Sequence, residues 1–345
     1  MLRIRARGLR RAPRDPSKNC PPKTRDRGAP FVYPDSRHPV LQPHILSEPS
    51  LTAMPALAAP RTTLASILAF LAYTNLWIAG TAAGWAYAML HVVHAEITAG
   101  ALFVPFAIAF VVYTIDKSAL LDPVADRQNA PDRTAFLLQW RGALLALAAL
   151  VGLVGAGLAA ARSLTCLGLY LTPLLVGAVY GAPILPGRRR PKDFVGFKNV
   201  IVAVSWAAGV GVLPLYYAGS FEAALVMTSG VWVALRALVC TTFFDERDVP
   251  GDRAAGRRTI PMLLGRTGTF GLLHGLSLGS SIALLFAGKI LELGPVADFA
   301  AVWTAIFTGW FLIATERRSI DPDFARDVLV DGDGVIIALF VLAIS

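Results

Sequence analysis

Charge is what this sequence has least of. Asp, Glu, Lys and Arg make up 16% of its 345 residues, against about 25% in an ordinary water-soluble domain; with a mean hydropathy of +0.57, that deficit excludes a soluble globule. Cysteine is scarce too. Cys20, Cys166 and Cys240 are the three present, and the latter two fall inside or at the end of apolar runs, so a disulfide framework is excluded. No compact apolar core stands before residue 60, and the N-terminal portion does not read as a secretory signal. No strand precedes the glycines of the apolar runs, which makes them close-packing positions rather than a nucleotide loop.

What the sequence has in abundance is long hydrophobic runs. A helix crossing about 30 Å of hydrocarbon needs roughly 20 mostly apolar residues. Such runs fall at 64–90, 97–115, 142–161, 163–185, 199–219, 222–244, 268–288 and 295–314, and a shorter ninth, GVIIALFVLAIS, at 334–345. The expectation is an all-α polytopic membrane protein, with the bilayer as its first partner. Of the formal charge of +9, residues 1–53 supply +7 from 11 Lys/Arg and four Asp/Glu. The basic excess thus belongs to a Pro- and Arg-rich tail without apolar periodicity, and a nucleic-acid partner is not implied. The expected organisation is a disordered tail over 1–60 and a transmembrane domain over 61–345, with Met54 as an alternative start.

Orientation follows from the basic residues. Seventeen Lys/Arg lie in the loops after the second, fourth, sixth and eighth runs, against Arg162 and Lys289 in the opposite loops. This asymmetry predicts a cytoplasmic N-terminus and cytoplasmic even-numbered loops in the cell membrane.

Both acidic clusters fall on that same side. YTIDKSALLDPVADRQNAPDR, residues 113–133, carries Asp116, Asp122 and Asp126; DERDVPGDRAAGRRTIPMLLG, residues 245–265, carries Asp245, Asp248 and Asp252, with Arg253, Arg257, Arg258 and Arg266 close behind. Spacings of three and four set each group on one face of an uninterrupted helix. Pro123 and Pro250 argue against that continuity, so Asp122 is expected as the N-cap of a new helix and Asp252 in a turn after the sixth run. Acidic loop residues are ordinarily solvated or paired with Arg, but two clusters on one side, each at a helix end, favour a shared cationic partner. Hard oxygen ligands suit Mg²⁺, which takes one or two carboxylates and completes its octahedron with water and phosphate oxygens. A diphosphate fits as the third party, with nearby Lys and Arg adding direct contacts, and an isoprenoid tail would fit the apolar interior.

At these residues the sequence resembles the UbiA superfamily of intramembrane prenyltransferases. The Asp triad with Gly251, Arg253, Gly256, Thr259, Pro261 and Gly265 looks like that family's second aspartate motif, and YGAPILPGRRRPKDFVGFKNVIVAVSWA at 180–207 looks like its loop between helices four and five. The first motif departs from the pattern: in SALLDPVAD, Ser118 and Ala119 stand where Asn and Asp are expected, while Asp122, Asp126 and the downstream Asn129, Pro131 and Arg133 match. Asp116 is near enough to replace a missing ligand. The resemblance spans about residues 60–345 and implies nine transmembrane helices around a central cavity. It also implies Mg²⁺-dependent transfer of an isoprenyl group from a polyprenyl diphosphate to an aromatic or other lipophilic acceptor. Asp122, Asp126, Asp245, Asp248 and Asp252, with Asp116 as a substitute, would hold metal; Arg133, Tyr180, Lys198, Asn199, Arg236 and Arg253 would contact substrate.

Other residues leave alternatives open. Arg236, inside the sixth run, is either functional or half of a buried ion pair, and Lys198 either contacts diphosphate or snorkels. Asn75 reads first as an interhelical hydrogen-bonding residue, and His91 and His94 as interfacial. Trp77, Tyr113, Tyr180, Trp206 and Trp232 are candidates to shield a carbocation. Two competing functions are a terpene cyclase using the same site and a non-catalytic isoprenoid-binding protein or transporter. The latter expects several mid-helix charges, and Arg236 is almost the only one.

Overall fold

The computed structural model describes residues 63–119, 123–181, 194–254 and 256–344. The basic tail and Asp122, with the capping role expected of it, lie outside these residues. Among the described residues every regular element is helical. In chain order they are α1 (Thr63–Tyr73), α2 (Leu76–Val92), α3 (Ala99–Thr114), α4 (Pro123–Asn129), α5 (Pro131–Arg162), α6 (Leu164–Gly181), α7 (Phe197–Trp206), α8 (Leu213–Ala218), α9 (Ala223–Ala254), α10 (Ile260–Ile290), α11 (Pro295–Glu316), α12 (Pro322–Phe324) and α13 (Asp333–Ile344). Three π-helical segments interrupt the α pattern at Ile115–Ala119, Ala207–Val212 and Ala325–Val330.

Among the described residues, six helical stretches are long and apolar enough to cross a membrane: Ala99–Ser118, Pro131–Arg162, Phe197–Ala218, Ala223–Ala254, Ile260–Ile290 and Pro295–Glu316. The α1–α2 pair makes a seventh if it is taken as one span, and Leu164–Val179 and Asp333–Ile344 are shorter apolar helices. Side-chain placement agrees with a lipid solvent. α5 buries Ala148, Gly155 and Ala159 while Leu147, Leu150 and Leu153 face outward. With hydrocarbon outside, large side chains lose nothing by facing out, and small ones inside let backbones approach. The chain is an integral, multi-pass membrane protein.

Two sequence expectations are corrected by the structure. The first run is not one helix: it breaks at Thr74–Asn75 and turns by 82°. Thr74 Oγ1 bonds back to the Phe70 carbonyl at 2.7 Å, and Asn75 takes the left-handed conformation at φ 62°, which Asn tolerates because its short amide bonds locally. That amide is held from two sides, donating to Thr114 Oγ1 and accepting from Arg133. Hydropathy sees only an unbroken apolar run.

The second correction concerns Pro250. α9 continues through it to Ala254, so Asp252 is helical rather than in a turn. The end of the helix is gripped from outside. Asn129 Oδ1 accepts from the Gly251 backbone N–H at 3.0 Å, and its Nδ2 points to the Asp248 carbonyl at 3.4 Å. These contacts engage backbone groups beside the proline that would otherwise loosen the turn.

The far end of the chain is locked by a buried ion pair. Arg236 of α9 lies 2.7 Å from Asp333 at the start of α13, both almost fully buried. Trp85 Nε1 of α2 donates to the other Asp333 oxygen at 2.8 Å, and Arg236 donates to Thr308 of α11 at 2.6 Å. Four helices therefore meet on one pair of charges. Gly84 and Gly334 permit this, since a Cβ on either would strike the opposite backbone. Removing one partner strands the other charge, so Asp333→Ala is expected to cost about 3–5 kcal/mol, whereas Arg236→Met with Asp333→Leu loses much less. Unfolding of the detergent-solubilised protein, followed by circular dichroism, checks the difference.

Candidate active site

The bundle encloses a cavity of about 290 Å³ lined from α3 to α7, from α9 and from the segment before α13. One part of its wall is hydrocarbon, with Ile108, Val112, Pro173, Val176, Ile201 and Val210. The other is crowded with charge: Asp116, Lys117, Asp126, Arg133, Lys198, Asp245, Arg247, Asp248, Asp252, Arg257, Arg258, Arg326 and Asp331. Such a volume lies near the lower end of small-molecule sites.

The continuity of α9 builds the acidic face. With Pro250 inside the helix, Asp245, Asp248 and Asp252 keep spacings of three and four and point the same way. Each is tied to a cation. Lys198 Nζ donates to Asp245 Oδ1 at 2.6 Å, and Asn199 Nδ2 donates to Oδ2 at 2.9 Å. Arg247 pairs with Asp248, and Arg257 approaches Asp252 at 3.3 Å. The second oxygen of Asp252 is buried and has no hydrogen-bond partner. Among the described residues no three Asp, Glu, His or Cys side chains converge as a preformed metal centre.

From the first acidic loop, Asp116 and Asp126 reach the same cavity. Asp116 sits in the π segment Ile115–Ala119, where the extra residue per turn re-aims side chains. Arg133 is buried and lines the cavity, donating to Asn75 Oδ1 at 3.0 Å; Asn75 thus makes the interhelical bond expected of it. Asp122 and the side chain of Tyr180 lie outside the described residues.

Two expected substrate contacts are placed elsewhere. Arg236 does not line the cavity, because an arginine within the membrane takes a buried carboxylate as partner, here Asp333. Arg253 is exposed and also stands outside the lining; Arg247, Arg257 and Arg258 are the arginines of that stretch that reach it. Tyr113 and Trp206 line the cavity with ring centroids 6.2 Å apart, and Lys117 lies 5.1 Å over the Tyr113 ring. Trp232 instead packs on Trp85, and Trp77 donates to the Val328 carbonyl.

A third acidic segment was missed from the sequence. DPDFARDVLVDGDG, residues 321–334, brings Arg326 and Asp331 into the cavity wall and sets Asp327 3.8 Å from Arg133. Burial pushes the Asp331 carboxyl above the usual carboxylate range, while Lys117 and Arg133 pull it back. Its only sequence signal was a run of aspartates before a short apolar stretch.

The UbiA prenyltransferase family matches residues 76–327, and the chain belongs to that family. No curated protein matches the sequence. Among solved structures it is similar to a UbiA homolog from Archaeoglobus fulgidus bound to GPP and Mg²⁺, with a TM-score of 0.58 and 17% identity, covering 79% of this chain and 96% of that one. The same homolog bound to DMAPP and Mg²⁺ gives a TM-score of 0.53 at 14% identity, covering 80% and 99%. A UbiA homolog from Aeropyrum pernix K1 in its apo form gives 0.53 at 16% identity, covering 77% and 98%. At these identities the likeness is one of fold.

The clamp between α4 and α9 is open to a direct test. A Cβ at Gly251 would collide with the Asn129 side chain, so Gly251→Ala is expected to cost about 1–3 kcal/mol by overpacking. In an Asn129→Ala background the same change is expected to cost less than half as much, measured by a double-mutant cycle on unfolding.

Proposed function

We propose that this protein is a Mg²⁺-dependent prenyltransferase that moves an isoprenyl group from a polyprenyl diphosphate to an aromatic or other lipophilic acceptor. The observation that carries the reading is the division of one cavity into a charged part, where two acidic segments and several cations meet, and an apolar part of hydrocarbon side chains. A diphosphate headgroup suits the first and its tail the second. Family membership supports the same chemistry, and the Archaeoglobus homolog of like fold was solved with GPP or DMAPP and Mg²⁺.

Asp245, Asp248 and Asp252 of α9, with Asp126 and Asp116 opposite, are the residues that would hold Mg²⁺; Asp122 is proposed on the motif alone. The buried, unpartnered oxygen of Asp252 fits a cation ligand. Bound there, Mg²⁺ would neutralise diphosphate oxygens and stabilise the departing anion. Lys198 and Asn199 hold Asp245 in place through both its oxygens, and Lys198, Arg257 and Arg258 provide cations for the diphosphate. In the reaction the allylic C–O bond breaks and diphosphate leaves with the electron pair. The acceptor then gives a pair to the carbocation and loses a proton. The apolar wall excludes the water that would quench the cation, while Tyr113 and Trp206 offer π-faces to it. The proposed orientation places the acidic loops and the N-terminus in the cytoplasm, following the basic residues that accompany them.

Release of diphosphate from labelled geranyl, farnesyl and geranylgeranyl diphosphates by purified protein, in the presence of a membrane-lipid extract, tests the reading. Mg²⁺-dependent release with a prenylated lipophilic product is expected, and Asp245→Asn or Asp252→Asn is expected to lower it roughly 100-fold or more. A correctly inserted Asp245→Asn protein with full activity would overturn the site; a cyclised hydrocarbon in place of a prenylated acceptor would overturn the transfer.

A further inference from the structure

Asp331 has no place in the diphosphate chemistry just described. It is 2% exposed, lines the cavity, and its Oδ1 has no hydrogen-bond partner. A buried carboxylate oxygen without a donor is costly, and such a group in a native protein calls for a ligand or a role.

Its position is firmly set. Thr81 Oγ1 donates to the Asp331 carbonyl at 2.6 Å, and the Asp331 N–H donates to the Arg326 carbonyl at 3.0 Å. Gly332 is pressed on the Trp77 ring and Gly334 on the Thr81 backbone so closely that neither tolerates a Cβ. Two residues on, Asp333 is anchored to Arg236. Arg236 precedes Asp245 by nine positions on α9, about 13 Å along the helix, so the Asp331 turn lies on the interior side of the diphosphate level. A carboxylate held this rigidly is preorganised for recognition.

Lys117, Arg133 and Arg326 are the cations acting on Asp331, with Asp327 the opposing carboxylate. Lys117 and Arg133 act on Asp248 as well, so Asp331 shares the cationic field of the cavity, and its unpartnered oxygen is open to a hydrogen-bond donor. Asp331 lines the same cavity as Tyr113 and Trp206.

We propose that Asp331 is the acceptor-recognition residue: Oδ1 accepts a hydrogen bond from a hydroxyl or amine of the acceptor, selecting a lipophilic acceptor that carries such a donor. This rests on the prenyl-transfer reading. It adds the class of acceptor.

The test uses the full-length protein in nanodiscs and needs no turnover. Binding of 1-naphthol and of its methyl ether, 1-methoxynaphthalene, is followed by their fluorescence; binding of geranyl thiolodiphosphate with Mg²⁺ is measured separately. The unaltered protein is expected to prefer naphthol by roughly 10-fold or more, the range for a hydrogen bond to a charged group. Asp331→Leu is expected to erase the preference and leave thiolodiphosphate affinity unchanged. If Asp331→Leu fails to assemble, the isosteric Asp331→Asn decides, with a reduced preference and unchanged thiolodiphosphate affinity expected. A preference that survives substitution, or is absent from the unaltered protein, overturns the proposal. So does a parallel loss of thiolodiphosphate affinity, which would put Asp331 on the diphosphate side. Failure of the unaltered protein to bind thiolodiphosphate would sink the transfer reading instead, since naphthol preference is read independently of it.

Discussion

The structure hangs on a pair of opposite charges in a place that repels charge. Arg236 and Asp333 meet where water is excluded, and each would be prohibitive alone. Together, with Trp85 hydrogen-bonded to Asp333 and Thr308 to Arg236, they tie α2, α9, α11 and α13 at one point. Such a pair is often no more stabilising than a well-packed hydrophobic substitute. What it provides is register: an apolar helix can slide along its neighbours with small loss, but a charge can stop only where its partner is. The segment before α13 is fixed by this constraint, and with it one wall of the cavity.

A second constraint acts at the opposite end of α9. A helix passing through proline loses a backbone bond, and here Asn129 takes hold of the groups beside it. The side chain that does so belongs to the first acidic loop, so the contact shaping one acidic cluster is made by the other. Neither cluster has its present geometry alone. This coupling explains why carboxylates 119 or more residues apart, Asp126 and Asp245, line one cavity.

The sequence made much of this legible. The apolar runs required no tertiary information, because the bilayer acts on each helix separately. The second aspartate motif was readable because its members lie close together along the chain. What escaped depended on contacts between distant positions. The break at Asn75 is held by Thr114 and Arg133, the helix through Pro250 by Asn129, and Arg236 found its partner 97 positions away in Asp333. Asp331 escaped for the same reason, as its placement rests on Thr81, 250 residues earlier. Spacing along the chain carries no record of such pairings.

The three π-helical segments border the cavity, contributing Asp116 and Lys117, Val210, and Arg326 to its wall. Each differs from an α-helix by a single additional residue in the turn. Part of the cavity's polar wall thus depends on chain length as well as chemistry: removing one residue from Ile115–Ala119 would restore the α pattern and rotate the downstream chain by about 100°. The wall that these segments contribute therefore depends on the number of residues in each turn as well as on which residues they are.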